Sequence, residues 1–370
     1  MIGAFVGDIN GSWYEFGNSP KTKNFELWQK RMYYTDDSIC TLAVMKTLMM
    51  SCNIDYSSDG LKIISKRLID NFKIFYNLYP NAGFGSMFAG FCRGDTDYKP
   101  YNSFGNGAAM RVSPVGWIAR STKEVKLLSN AVTRVTQNHE EGLKGAEATA
   151  MCIYFARKGK TKEYIKQYVK SNYYPNIDKL NYDELVKNYT YDITCQGTVP
   201  VAIYCFLISK NFEDCIRTFV SIGGDADTLG AIAMSIAEAY YYDKEDLSIY
   251  ENKVYEYMDE ALSKIIKRFK NYLQETTVEN KIYKKDLSNK EYFDLVNKIT
   301  KYINKLNIEF NNNDAIKLKE LIDEFIKTVD DESLYSLVWH KLTEMGPLKM
   351  VSNSALELTL REFSKKHRGF

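Results

Sequence analysis

The stretch SIGGDADTLGAIAMSIAEAYY, residues 221–241, sets two aspartates between a pair of glycines and a run of small apolar residues. The run is apolar all round at helical spacing, so it belongs in an interior. An ionised carboxylate at the mouth of such a helix is costly without a partner. Either the acids cap the helix, as an aspartate ahead of a helix commonly does, or they meet a cation that the chain does not itself supply.

A second small-residue stripe lies near the start of the chain. Gly3, Gly7, Gly11 and Glu15 recur every four residues and fall on one face of a helix. Three interior glycines destabilise a helix by about 1 kcal/mol each, which is reasonable where a second backbone must come very close. The DTLGAIAMSIAEA helix (227–239) offers Ala231, Ser235 and Ala239 as a matching stripe. The two helices are expected to meet at the tight centre of the protein, with Glu15 at the end of their groove.

Most other segments carry an apolar face at spacings of three and four, among them DSICTLAVMKTLMM, SSDGLKIISKRLIDNFKIFYN and GLKGAEATAMCIYFARKG. Alternating patterns are nearly absent; YDITC, residues 191–195, is the best strand candidate. The pattern predicts an all-α bundle. Nineteen of the 21 glycines precede residue 231, and from about 271 onward the chain is rich in charged residues with helical apolar spacing. Residues 1–270 therefore read as one domain and 271–370 as an appended helical module, a brace or a protein-interaction element.

Of the 370 residues, 45% are hydrophobic and 26% charged, with a formal charge of +2. That balance gives no indication of nucleic acid or a membrane as an obligatory partner. No apolar run reaches the length of a membrane span, and the first residues resemble neither a signal nor a transit peptide. Seven scattered cysteines without a C-x-x-C pair suit reduced thiols in a cytoplasmic protein, with a cysteine nucleophile as the lesser alternative.

The chemistry-bearing motifs are acidic. Three histidines in the whole chain argue against a histidine-based zinc site. YYTDDSI (33–39) and GGDADT (223–228) each place two carboxylates and a threonine hydroxyl at a predicted helix start. Thr35, Asp36, Asp37, Asp225, Asp227 and Thr228 together offer six oxygen donors, hard ligands suited to Mg²⁺, Mn²⁺ or Ca²⁺; taken singly, each motif also reads as a helix cap. NAGFGSMFAGF (81–91) and SFGNGAAMRVSPVG (103–116) are glycine-rich loops ahead of helices, whose backbone N–H groups suit a phosphate. His139 is the one histidine before residue 271 and reads otherwise as a hydrogen-bonded loop residue.

The order GAFVGDINGSWYE, YYTDDS, SFGNGAAMRVSPVGW, VTQNHEEGLKGAEATA, CQGTVPVAIYCFL and SIGGDADTLGAIA resembles the ADP-ribosylglycohydrolase family over about residues 1–268. The resemblance implies an orthogonal multi-helix bundle with two Mg²⁺ ions in a cleft, Mn²⁺ being a possible substitute. Thr35, Asp36 and Asp37 would bind metal from one side, and Asp225, Asp227 and Thr228 from the other. Glu15 matches the family's acid near the metals and is the first candidate for proton transfer, with Asp36 and Asp37 as alternatives. Gly83, Gly85 and Ser86 match the diphosphate loop; Ser103, Gly105, Asn106, Gly107 and His139 match positions that hold ADP-ribose. The implied activity is cleavage of the N- or O-glycosidic bond between ADP-ribose and an acceptor, expected to be a protein. A catalytically silent ADP-ribose binder or structural relative is the alternative. The chain departs from the family's common THNHPEG in reading TQNHEEG, with Gln137 for the first histidine and Glu140 for the proline.

Overall fold

The computed structural model describes residues 1–277, together with 298, 301, 313, 314, 316–318, 320 and 321. The chain divides into two compact units, Met1–Lys281 and Ile282–Phe370, and the helices below all belong to the first. They are α1 Gly3–Ser12, α2 Asp36–Met50, α3 Ser58–Leu78, α4 Ser86–Arg93, α5 Gly107–Met110, α6 Ser113–Ile118, α7 Thr122–Thr133 and α8 Glu140–Arg157. There follow α9 Lys162–Asn172, α10 Tyr182–Asn188, α11 Cys195–Ile208, α12 Phe212–Ile222, α13 Ala226–Tyr241, α14 Ser248–Tyr257 and α15 Glu260–Thr277. The composition break at 270 falls inside α15. The periodic stretches expected beyond it lie outside the described residues, apart from the few named above.

Among the described residues the only β feature is an isolated antiparallel bridge between Gly105 and Thr194, so YDITC yields a pairing rather than a strand. Side chains start the helices as their sequences dictate: Ser57, Ser121, Thr161, Asn181, Thr194 and Asn211 each accept a backbone N–H of the first turn of the helix that follows. No described helix is long and apolar enough to cross a membrane.

At the centre α1 lies along α13. Every residue of α1 is buried, as is α13 but for Tyr240. The glycine stripe is what permits the approach. A Cβ built on Gly3 would stand 2.2 Å from the Met234 carbonyl oxygen, on Gly7 2.0 Å from that of Gly230, and on Gly11 2.3 Å from that of Ala226. The facing stripe is therefore Ala226, Gly230 and Met234, one register away from the Ala231, Ser235 and Ala239 expected. The contact is backbone to backbone, and Met234 joins it through its carbonyl regardless of side-chain size. Glu238 extends the same row and accepts the Ile2 and Gly3 N–H groups at 2.7 and 2.8 Å, closing the otherwise uncapped start of α1.

Candidate metal centre

Packing α1 on α13 brings the starts of α2 and α13 together. Asp8 projects from α1 to the N-terminus of α2, where Oδ2 accepts the Thr35 N–H at 2.9 Å and the Ser38 N–H at 3.1 Å. Its carboxylate also accepts the Thr35 hydroxyl at 2.8 Å and the Ser38 hydroxyl. Asp8 was no part of the sequence-derived site, yet it fixes the turn from which Asp36 and Asp37 emerge. The available signal was an acid inside a small-residue helix.

With the α2 turn held this way, Asp37 reaches across to α13: its Oδ2 accepts the Thr228 hydroxyl at 3.2 Å and lies 3.5 Å from the Thr35 hydroxyl. Asp37 Oδ1 is buried with no hydrogen-bond partner. From the other side, Gly223 and Gly224 turn at φ +74° and +84°, a conformation open to glycine, and deliver Asp225 and Asp227 into the same space. Oxygens of Glu15, Asp225 and Asp227 lie within 4.8 Å of one another. Glu15 stands not on α1, which ends at Ser12, but in a 3₁₀ turn over Glu15–Gly17.

In neither motif does an aspartate side chain make the helix cap. Thr35 caps α2, and Asp225 occupies the cap position of α13 without a capping bond. Instead Asp225 Oδ2 accepts the Asn106 side-chain amide at 2.6 Å, Asp227 Oδ1 accepts the Thr228 N–H at 2.9 Å, and the Tyr191 hydroxyl donates to Glu15 at 3.2 Å.

So many acids with so little countercharge resist ionising. Burial, with the Asp227 charge behind it, pushes Asp8 up to about 7 and Glu15 and Asp36 up to about 8. The same causes hold Asp37 and Asp225 well above the carboxylate range, and burial raises Asp227. A hard divalent cation answers each of these features: it supplies the missing charge and a partner for Asp37 Oδ1, and the donor set is all oxygen.

The glycine loops border this cluster. A Cβ on Gly83, at φ +95°, would lie 3.7 Å from Asp36 Oδ1. Gly85 and Ser86 begin α4, whose N-terminus no side chain caps. On the other flank Ser103 accepts the Gly105 N–H, and Asn106 is turned inward, its amide shared between Asp225 and Thr198 and its backbone N–H given to the Ile193 carbonyl. Gly107 opens α5. His139 caps α8, its Nδ1 accepting the Glu141 N–H at 3.1 Å, so in the neutral ring the proton is on Nε2; its ring meets Phe104 edge to face at 5.3 Å. Gln137 donates to the Gly105 carbonyl at 2.7 Å and leaves its own Oε1 buried and unpaired.

Sequence reasoning read residues 191–195 as a strand candidate and did not connect the segment 189–195 with the site. The Tyr189 ring and Thr190 carbonyl back Gly224, Tyr191 reaches Glu15, and Ile193 and Thr194 pair with the 105–106 loop. One short strap thus ties together three parts of the site.

The all-helical fold thus gathers buried acids, with two glycine loops alongside them. Residues 1–244 match the family model described as ADP-ribosylglycohydrolase, and the chain belongs to that family. It is similar to ADP-ribosylhydrolase ARH3 of Homo sapiens, 24% identical over 314 residues covering 65% of this chain and 84% of the relative. The Mus musculus protein of that name is likewise 24% identical, with 65% and 82% covered. Among solved structures, an "ADP-ribosylglycohydrolase-related protein complex" chain superposes with a TM-score of 0.51 at 21% identity, covering 72% of this chain and 95% of its own, a likeness of fold.

Proposed function

We propose that this chain is a Mg²⁺-dependent hydrolase that cleaves the N- or O-glycosidic bond between ADP-ribose and an acceptor, removing ADP-ribosylation. The observation that carries the reading is the convergence of Glu15, Asp225 and Asp227 within 4.8 Å beside the partnerless Asp37 Oδ1. Thr35, Asp36 and Asp37 would hold two metal ions from the α2 side, and Asp225, Asp227 and Thr228 from the α13 side, with Mn²⁺ as a substitute. When bound, such ions supply Lewis-acid polarisation of the ribose oxygens.

The chain's own groups do the rest. Ser86 and the glycines 83 and 85 receive the diphosphate at the open N-terminus of α4. The His139 Nε2–H donates to ribose, and Ser103, Gly105, Asn106 and Gly107 shape the wall beside it. Negative charge from the carboxylates favours an oxocarbenium-like C1″. Glu15, partly exposed beside the acids, exchanges a proton with the leaving group or the attacking water; Asp36 is the alternative carrier. Asp37, bonded to Thr228 and enclosed, serves as ligand. Catalysis falls to residues 1–270, with 271–370 an appended module, in the cytoplasm, where unpaired thiols such as Cys40 and Cys205 persist.

The test is release of ADP-ribose from a panel of arginine-, serine- and base-linked substrates with and without chelator. The expected result is loss in EDTA and recovery with Mg²⁺. Turnover that persists in EDTA overturns the metal dependence; tight ADP-ribose binding without release from any acceptor marks a binding protein instead.

A further inference from the structure

Among the described residues, ten large hydrophobic side chains are exposed, and six of them lie on segments that carry candidate site residues: Phe16, Tyr33, Met87, Phe104, Tyr191 and Ile193. Each is tied to the site by a neighbour already placed. Phe16 follows Glu15, Met87 follows Ser86, Phe104 meets His139, and the Ile193 carbonyl holds Asn106. Tyr191 bonds Glu15, and the Tyr33 hydroxyl feels the charges of Glu15 and Asp227. Scattered single apolar residues are ordinary on a protein surface; a concentration around one cleft marks an interaction surface.

Phe16 is the sharpest case. It is 73% exposed, and its backbone sits at φ +54°, a left-handed conformation unfavourable for a bulky side chain. The Phe16 ring stacks on Tyr191 at 5.6 Å between centroids and 29° between planes. A strained turn that keeps an aromatic ring in water is explained if the outer face of that ring receives something. Asp192 lies between Tyr191 and Ile193 over an acidic floor, and two cations of adjoining segments are engaged elsewhere: Lys21 on the Ile222 carbonyl, Arg31 on the Trp13 ring. That arrangement disfavours a polyanion such as a nucleic acid strand. Aromatic and methionine side chains free of lysine are the composition of a polypeptide-binding surface.

We infer that this aromatic rim, centred on the Phe16–Tyr191 stack, binds the polypeptide flanking the modified residue, so that the substrate is a modified protein recognised through more than its ADP-ribose. The inference rests on the ADP-ribosyl reading above.

The experiment compares Phe16→Gly, which suits the left-handed turn, and Phe16→Tyr, which restores a ring, with the unaltered chain. Hydrolysis and fluorescence polarisation of a labelled ADP-ribosylated peptide are measured beside competition by free ADP-ribose. The expected result is a KM and a peptide Kd raised about three- to tenfold in Phe16→Gly, with kcat and ADP-ribose competition unchanged and recovery in Phe16→Tyr. Unchanged peptide binding in Phe16→Gly overturns the inference, as does an equal loss for free ADP-ribose, or tighter binding of an ADP-ribosylated oligonucleotide than of the peptide. If the unaltered chain binds the peptide without hydrolysing it, the hydrolase reading fails, while the polarisation result still decides on the rim.

Discussion

Gly7 lies directly against the peptide unit of Gly230: a Cβ added at Gly7 would stand 2.0 Å from the Gly230 carbonyl oxygen and 2.1 Å from its carbon. Neither backbone can yield without moving a whole buried helix, and each helix brings acids to the site.

Gly7→Ala is accordingly expected to destabilise the fold by about 3 kcal/mol or more, the upper range for forcing one extra carbon into a packed core. Gly85→Ala, where nothing lies within 4 Å of the added carbon, is expected to stay within about 1 kcal/mol. Denaturant melts of the two variants check the contrast.

Asp227 raises the carboxyls of Asp8, Glu15, Asp36, Asp37 and Asp225 through its charge. Asp227→Asn removes that repulsion and a ligand together. Metal-free thermal stability is expected to rise, while Mg²⁺ affinity falls about 100-fold or more and hydrolysis is lost. Melting curves with and without Mg²⁺, read beside calorimetry, would show the two effects moving in opposite directions.

The pH dependence follows from the same acids. Their folded values lie above the unfolded ones, up to about 7 for Asp8 and about 8 for Glu15 and Asp36. Between about pH 4 and 8 the folded chain thus binds more protons than the unfolded chain, so metal-free stability falls as pH rises through that window. A metal ion displaces those protons, so its affinity rises over the same range. Melting temperatures at pH 5 to 8 in EDTA and in saturating Mg²⁺ are expected to diverge; parallel curves would refute the assignment.

Glu238→Gln replaces one of the two oxygens that receive the Ile2 and Gly3 N–H groups with a second donor. An unpaired buried N–H costs about 1–3 kcal/mol, which urea denaturation would register. Glu238 follows Asp227 by eleven residues on α13, about 16 Å along the helix, so Mg²⁺ affinity in the folded variant is expected to be unchanged.

The central helix pair was legible because a four-residue glycine spacing records backbone proximity in side-chain absence. Its register was not, since Met234 enters the contact through a carbonyl that carries no trace in residue type. Six oxygen donors beside glycines could be read as hard ligands or as helix caps; the structure bonds Asp37 to Thr228 and sets Asp225 and Asp227 within 4.8 Å of Glu15. Glu15 was placed on a helix face because the spacing of four continues through it, whereas the helix stops at Ser12. Asp8 escaped notice because its work is to hold backbone N–H groups of another segment. The 189–195 strap showed only the short strand candidate YDITC, because its bonds to the site are to residues distant in the chain.

The α1–α13 contact joins segments more than two hundred residues apart, and pairing so remote in sequence is slow to form because the long loop between must close first. On a chain made from its N-terminus, α1 is synthesised long before the surface that buries it. The apolar face of α1 must wait for residues 226–241 to leave the ribosome. Until then neither half of the acid cluster has its other half: a chain stopped before residue 225 holds Glu15 and the α2 acids but neither Asp225 nor Asp227. The gathering of the acids in this fold therefore comes only late in synthesis.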